Sequence, residues 1–212
     1  MTTFQTPAPI SLTVDVLSGN VTVIASDRTD TVVEVRPADA AKKADVRAAA
    51  NTTVDFADGV LTVRAAKDWR THTPFGGNPT IEVTIQAPTG SRLQATAGVG
   101  RVLSSGELGD STVEVSAGDV VLDRTRGAVT AKVSKGDIRI AEATRGVLRV
   151  ETSMGDLEIG IHPGSTARLE TNAQTGIVQN LTLPAASNGE DIVQVYARNS
   201  YGNVVIRHAD AA

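Results

Sequence analysis

The stretch "VSAGDVVL" at 115–122 returns as "VSKGDIRI" at 133–140 and as "TSMGDLEI" at 152–159. So short a recurrence limits what the chain can become. A unit of this size cannot bury an apolar face alone and must stack on its own copies. Anchored on Gly100, Gly118, Gly136, Gly155 and Gly176, the units are spaced by 18, 18, 19 and 21 residues. Seven, five and three residues before each glycine stand Leu93, Ala95, Ala97; Ser111, Val113, Val115; Val129, Ala131, Val133; Leu148, Val150, Thr152; and Leu169, Thr171, Ala173. Two and four residues after the middle three stand Val120 and Leu122, Ile138 and Ile140, and Leu157 and Ile159. Nearly all are apolar or small, and the residues between them are mostly polar. This is period-two alternation on both sides of a glycine turn.

The pattern predicts a single all-β domain, a β-solenoid (β-helix) with rungs of 18–21 residues, stacked about 4.7–4.9 Å apart. Outward columns would carry Glu114, Lys132 and Glu151; Arg139 and Glu158; and Arg101, Asp119, Asp137 and Asp156. Opposite charges meeting in the first two columns would contribute about 0.2–1 kcal/mol per pair and help to set register. "LTVDVLSGNVTV" at 12–23 fits the template, and "VYARNSYGNVVI" at 195–206 fits it loosely around Gly202. Between the first copy and the main array, an Ala-rich helix is expected at 38–50, begun by Pro37, ended by Asn51 and supported by an Asp39–Lys43 pair. A hairpin around Asp58-Gly59 is expected at 53–65, then a strand within 80–88. The chain thus divides into an irregular amino-terminal cap region at 11–88, regular repeats at 89–183 and carboxy-terminal strands at 184–212.

Hydrophobic residues make up 41% of the 212-residue chain and aromatics only 3%, so the core must be built from Val, Ile, Leu and Ala. The absence of Cys excludes disulfides and thiolate metal sites. A net charge of −4, from 20 basic and 24 acidic residues mixed along the chain, argues against a nucleic-acid partner. "MTTFQTPAPISLTV" has no basic region followed by an apolar one, and no apolar run approaches the roughly 18–20 residues of a membrane helix. A cytoplasmic location is expected.

The T-G-S-R-L unit at 89–93 precedes the S-x-G-D-V-type units, and a helix-hairpin segment precedes a strand ending "TIQAP". In these features, over roughly 11–208, the chain resembles the bacterial "putative adhesin" domain family. The resemblance implies a β-solenoid with no established reaction.

Asp119, Asp137 and Asp156 raise the question of a calcium ladder, which uses turns of the G-G-x-G-x-D type. Here each turn has a single glycine and Arg101 shares the column, which predicts a local turn role for the aspartates. "WRTHTPFGGNP" at 69–79 gathers scarce aromatics in a Gly/Pro-rich loop. Trp69, Arg70, His72 and Phe75 are therefore the candidate ligand- or partner-binding residues, or else a lid over the core. His72, His162 and His208 show no metal-binding spacing, and neither a nucleophile elbow nor a phosphate-binding loop occurs. No catalytic, metal or cofactor site is expected. The reading is a non-enzymatic scaffold or protein-interaction module whose partner is another protein or a second copy. The alternative is a carbohydrate-binding or carbohydrate-active β-helix using the loop at 69–79.

Overall fold

The structure, a computed structural model, describes residues 1–66, 79–182 and 191–209. It is all-β apart from one short helix. In chain order the elements are β1 (Thr2–Gln5), β2 (Ser11–Ser26), β3 (Asp30–Pro37), α1 (Lys43–Ala50), β4 (Thr53–Ala57), β5 (Val60–Arg64), β6 (Ile81–Pro88), β7 (Arg92–Val99), β8 (Val102–Ser105), β9 (Glu107–Leu108), β10 (Ser111–Ala117), β11 (Val120–Arg126), β12 (Val129–Lys135), β13 (Ile138–Met154), β14 (Leu157–Ile161), β15 (Thr166–Thr175), β16 (Val178–Leu181), β17 (Ile192–Tyr201) and β18 (Val204–His208).

Segments one repeat apart lie side by side, parallel and in register. Leu93 pairs with Ser111, Ser111 with Val129, and Val129 with Leu148. Sheet I runs β4–β5–β2–β7–β10–β12–β13–β17–β15, and every pairing but the first is parallel. Sheet II runs β1–β3–β6–β2–β8–β11–β13–β14–β18–β16, parallel from β6 onward. The long strands β2 and β13 each contribute to both sheets. The alternation expected for the inward positions is met from β7 to β14. Leu93, Val113, Val133, Leu148, Leu122, Ile140 and Ile159 are all buried in one apolar cluster.

The glycine turns hold the rungs at this spacing. Gly136 has φ +140°, and a Cβ there would lie 2.0 Å from the Gly118 carbonyl oxygen. Only a residue without a side chain fits both the backbone angle and the approach.

At both ends the layers depart from chain order. The loosely matching carboxy-terminal copy does not follow the array. It enters it: β17 lies between β13 and β15, and β18 between β14 and β16. Leu148 therefore stacks on Val195, and Val195 on Leu169. The first copy, β2, likewise lies inside the stack, between β5 and β7 in sheet I and between β6 and β8 in sheet II. The outermost strands are thus β4 and β15 in sheet I and β1 and β16 in sheet II.

The helix is also shorter than 38–50, at Lys43–Ala50. Pro37 ends β3, opposite Ile81. Asp39 forms a turn, accepting the Ala41 N–H at 2.9 Å, and such side-chain bonding competes with helix. The ion pair of Asp39 is with Lys42, at 3.8 Å, rather than Lys43. Asp45 in the first helical turn is buried, and its carboxylate accepts the Thr80 and Asp39 N–H groups at 3.0 and 3.2 Å. This ties the helix to the start of β6. The Asp58-Gly59 hairpin is as expected, with positive φ at both residues (52° and 76°). Phe4 of β1 and Phe56 of β4 meet with ring centroids 5.3 Å apart and close this end of the core. A hydrogen bond from Arg28 holds the Asp30 carboxyl below the usual carboxylate range, and one from Arg36 does the same for Glu34.

Two substitutions test this framework. Val133→Asp buries an unpaired charge, which costs several kcal/mol against a total domain stability of about 5–15 kcal/mol. Loss of the cooperative thermal transition is expected, and a melt like that of the wild type would refute the inward assignment. Gly136→Ala is expected to cost at least about 3 kcal/mol in denaturant titrations, because strain and a backbone clash add. Gly59→Ala meets no atom within 4 Å and should cost only the left-handed penalty of about 1–2 kcal/mol.

Candidate functional site

With the inward positions assigned, the intervening residues of sheet I must face out. They form columns along the stack. One runs Asp15, Thr96, Glu114, Lys132, Glu151, Arg198, Asn172. A second runs Gln94, Thr112, Thr130, Arg149, Tyr196, Glu170. Beside them Ser116, Ser134, Ser153 and Ser200 occupy equivalent places in successive rungs.

These columns enclose a shallow trough. One depression of ≈ 420 Å³ is lined by Thr96, Glu114, Ser116, Lys132, Ser134, Glu151 and Ser153, among others. A second of ≈ 360 Å³ adjoins it and shares Lys132 and Glu151, adding Thr130, Arg149, Tyr196 and Arg198. Two smaller ones continue from Arg198 and Tyr196 onto β15. The Arg149 guanidinium lies 5.4 Å from the centre of the Tyr196 ring, a cation–π contact. The trough therefore offers alternating charges, a row of hydroxyls and one aromatic surface across several adjacent rungs. Its charged side chains face solvent, which suits reversible contact with an extended polar ligand.

Of the charge columns expected from sequence, Glu114, Lys132 and Glu151 are register neighbours. Among the described residues, ion-pair contact is made in the Arg139–Glu158 column instead, at 3.5 Å, and Arg207 of β18 extends it with a 3.0 Å contact to Glu158.

The aspartate column has a structural use. The Asp119 Oδ1 accepts the Asp137 N–H at 3.2 Å, the Asp137 Oδ1 accepts the Asp156 N–H at 2.7 Å, and the Asp156 Oδ1 accepts the Asn203 N–H at 2.7 Å. Asn20 does the same for Arg101, and Asn203 for Ile177, each at 3.2 Å. Each side chain thus satisfies the turn amide of the next rung. Arg101, in the same column, reaches Asp119 at 3.3 Å. Among the described residues no three His, Asp or Glu side chains converge as a metal-binding set. His162 instead accepts the Gly164 N–H at Nδ1 and approaches Glu142 at 3.7 Å through Nε2.

Trp69, Arg70, His72 and Phe75, the residues singled out from sequence, lie outside the described residues. Arg149, Tyr196 and Arg198 were missed. The signal for Arg198 was available. Arg198 continues the alternation Glu114, Lys132, Glu151, whereas Asn172, which the simple chain order would have placed next, does not.

The ladder makes a quantitative expectation. Asp137→Ala removes the acceptor for Asp156 N–H and should cost about 0.5–2 kcal/mol in chemical denaturation, as loss of a capping side chain does. Asp137→Asn keeps an acceptor oxygen and should stay close to wild type, as Asn20 and Asn203 do in the same column. Equal losses for both variants would count against the ladder.

Comparison with known proteins adds the following. Residues 7–207 match the Toastrack DUF4097 family. No curated protein matches the chain. Among solved structures, the chain is similar to a "putative cell adhesion protein" from Clostridium sporogenes, with 7% identity, 98% of each chain covered and a TM-score of 0.49. It is also similar to a "putative adhesin" from Bacteroides fragilis, with 12% identity, 97% of this chain and 95% of that one covered, and a TM-score of 0.36. A "putative lipid binding protein" from Parabacteroides distasonis shares 10% identity over 99% and 94% of the two chains, with a TM-score of 0.35.

Proposed function

Because the chain belongs to the Toastrack DUF4097 family, we propose that it is a non-enzymatic β-solenoid scaffold, a single domain that presents the outer face of sheet I to a protein partner. The observation that carries this reading is the continuous trough from Thr96 to Asn172, charged and hydroxyl-rich, on the outer face of sheet I. A parallel sheet is ordinarily covered on both faces. Here one face is packed into the core and the other bears exposed Glu114, Lys132, Glu151 and Arg198. An extended polar segment of another protein, with charges spaced to oppose this alternation, fits the trough. Such a ligand needs no deep pocket, because contacts repeat at each rung. The carbohydrate alternative rests on the loop at 69–79, whose residues Trp69, Arg70, His72 and Phe75 lie outside the described residues.

The test is affinity capture from native lysate with three baits: wild type, Lys132→Glu/Arg198→Glu, and the control Lys43→Glu/Arg47→Glu on α1. Proteins held through the trough should lose roughly tenfold in retention on the first variant, equivalent to about 1.4 kcal/mol. They should be held normally by the control. A retained set identical for all three baits would sink the reading.

A further inference from the structure

The two ends of the stack are finished differently. At the β1–β4 end the outermost strands run antiparallel to their neighbours, and Phe4 and Phe56 cover the core. The opposite end is the layer of β15 and β16. β15 pairs with β17, and β16 with β18; among the described residues neither has a strand on its other side. Ile177, Val178 and Leu181 are 61%, 42% and 58% exposed there, and the inward residues Leu169 and Ala173 are only partly buried.

The backbone of β15 is set for one more strand. In earlier layers the residue equivalent to Leu169 donates its N–H to the next layer: Leu93 to the Asp110 carbonyl at 3.0 Å, and Ser111 to the Ala128 carbonyl at 2.8 Å. Thr166 donates back toward β17, to the Asp191 carbonyl at 3.0 Å. Backbone groups alternate in direction along a strand. Hence Ala167, Leu169 and Thr171 direct their N–H and C=O groups to the open side. A regular edge of this kind is a template for strand addition.

We propose that the occupant is a second copy of this chain, joined through antiparallel pairing of β15 with the partner's β15 about a two-fold axis at Leu169. The capped end offers no matching parallel layer, so the open end pairs with itself, giving a closed isologous dimer. The sequence of β15 is self-complementary in this register alone among its neighbours. With the axis at Leu169, this residue faces the partner's Leu169 in a hydrogen-bonded pair. Arg168 faces the partner's Glu170, and Glu170 faces the partner's Arg168. Shifting the axis to Arg168 or Glu170 sets like charges against each other. Shifting it to Thr171 sets Glu170 against the partner's Asn172 and leaves both charges unmatched. A two-fold axis normal to the sheet also keeps Leu169 inward in both copies, so the apolar column continues across the junction.

This inference rests on the scaffold reading and supplies it with one partner, but it uses none of the charges altered in the trough test. The two can therefore fail separately. The experiment is sedimentation velocity on the full chain over a concentration series. A reversible dimer of the 22.0 kDa chain is expected. Leu169→Pro removes only an N–H that points to the open side, the position where an edge strand tolerates proline. It should abolish the dimer while keeping the monomer's circular dichroism. Arg168→Glu and Glu170→Arg should each weaken the dimer by roughly tenfold, since each turns two attractive pairs into two repulsive ones. The double variant Arg168→Glu/Glu170→Arg should restore it. A wild type that stays monomeric, or a dimer indifferent to all these changes, overturns the proposal.

Discussion

The close approach of one turn to the next is the constraint on which the structure depends. At Gly118 a Cβ would lie 1.8 Å from the Gly100 carbonyl oxygen, and at Gly136 2.0 Å from that of Gly118. Strands can be spaced at the ordinary hydrogen-bonding distance only if the turns between them can too. A side chain at these places would push the rungs apart and break the pairing on both sides of the turn. The aspartate that follows completes the arrangement, because a positive-φ turn leaves an amide facing the rung before it. Asp119, Asp137 and Asp156 accept those amides. Glycine and aspartate therefore recur together for one reason: the first allows the approach, and the second satisfies the donor that the approach leaves over.

That coupling explains why some of the molecule was legible in the sequence and some was not. The choice between inward and outward is local, since it follows from alternation beside a glycine. Val113, Val115, Val120 and Leu122 could be assigned from ten residues of text. The order of layers is not local. Val195 and Ala197 alternate as well as Leu169 does, so apolar periodicity cannot say which stacks on Leu148. Only side chains that face a neighbour can discriminate, and here that is the outward charge column. Lys132, Glu151 and Arg198 alternate in sign, and the chain-order succession Lys132, Glu151, Asn172 does not. The helix was misread at its start because Asp39 has two local options. Its side chain competes for backbone donors, and the turn wins where Pro37 is held in β3 by pairing with Ile81.

The candidate site was less legible than the fold for a related reason. Scarcity drew attention to the aromatics at 69–79, whereas the trough is built from commonplace residues. Ser116, Lys132 and Glu151 become a surface only when stacked, and Tyr196 reaches Arg149 only because β17 enters beside β13. Nothing in a single repeat marks it. The closing of the core at the β1–β4 end shows the same thing. Phe4 and Phe56 are far apart in the chain, yet they meet across the two sheets.

The insertion of β2 and β17 within the stack has a consequence for how it assembles. If layers were added in chain order, β15 would dock on β13, for which its alternation is suited. The native structure requires β17 in that place. Docking of β15 on β13 is therefore a competitor to folding, and it must be disfavoured or undone before β17 pairs on both sides. The outward column disfavours it, since Asn172 beside Glu151 lacks the opposite charge that Arg198 places in register there. The inward column acts in the same direction. Val195 and Ala197 are fully or nearly fully buried between two layers, whereas Leu169, with one apolar layer beside it, is half-buried. Apolar burial contributes about 25 cal/mol per Å², so the layer with the better inward residues belongs inside and the more polar one, with Thr171 and Asn180, belongs at the end. The threading of the carboxy-terminal copy follows from this sorting, and so does the open β15 edge that the threading leaves at the end of the stack.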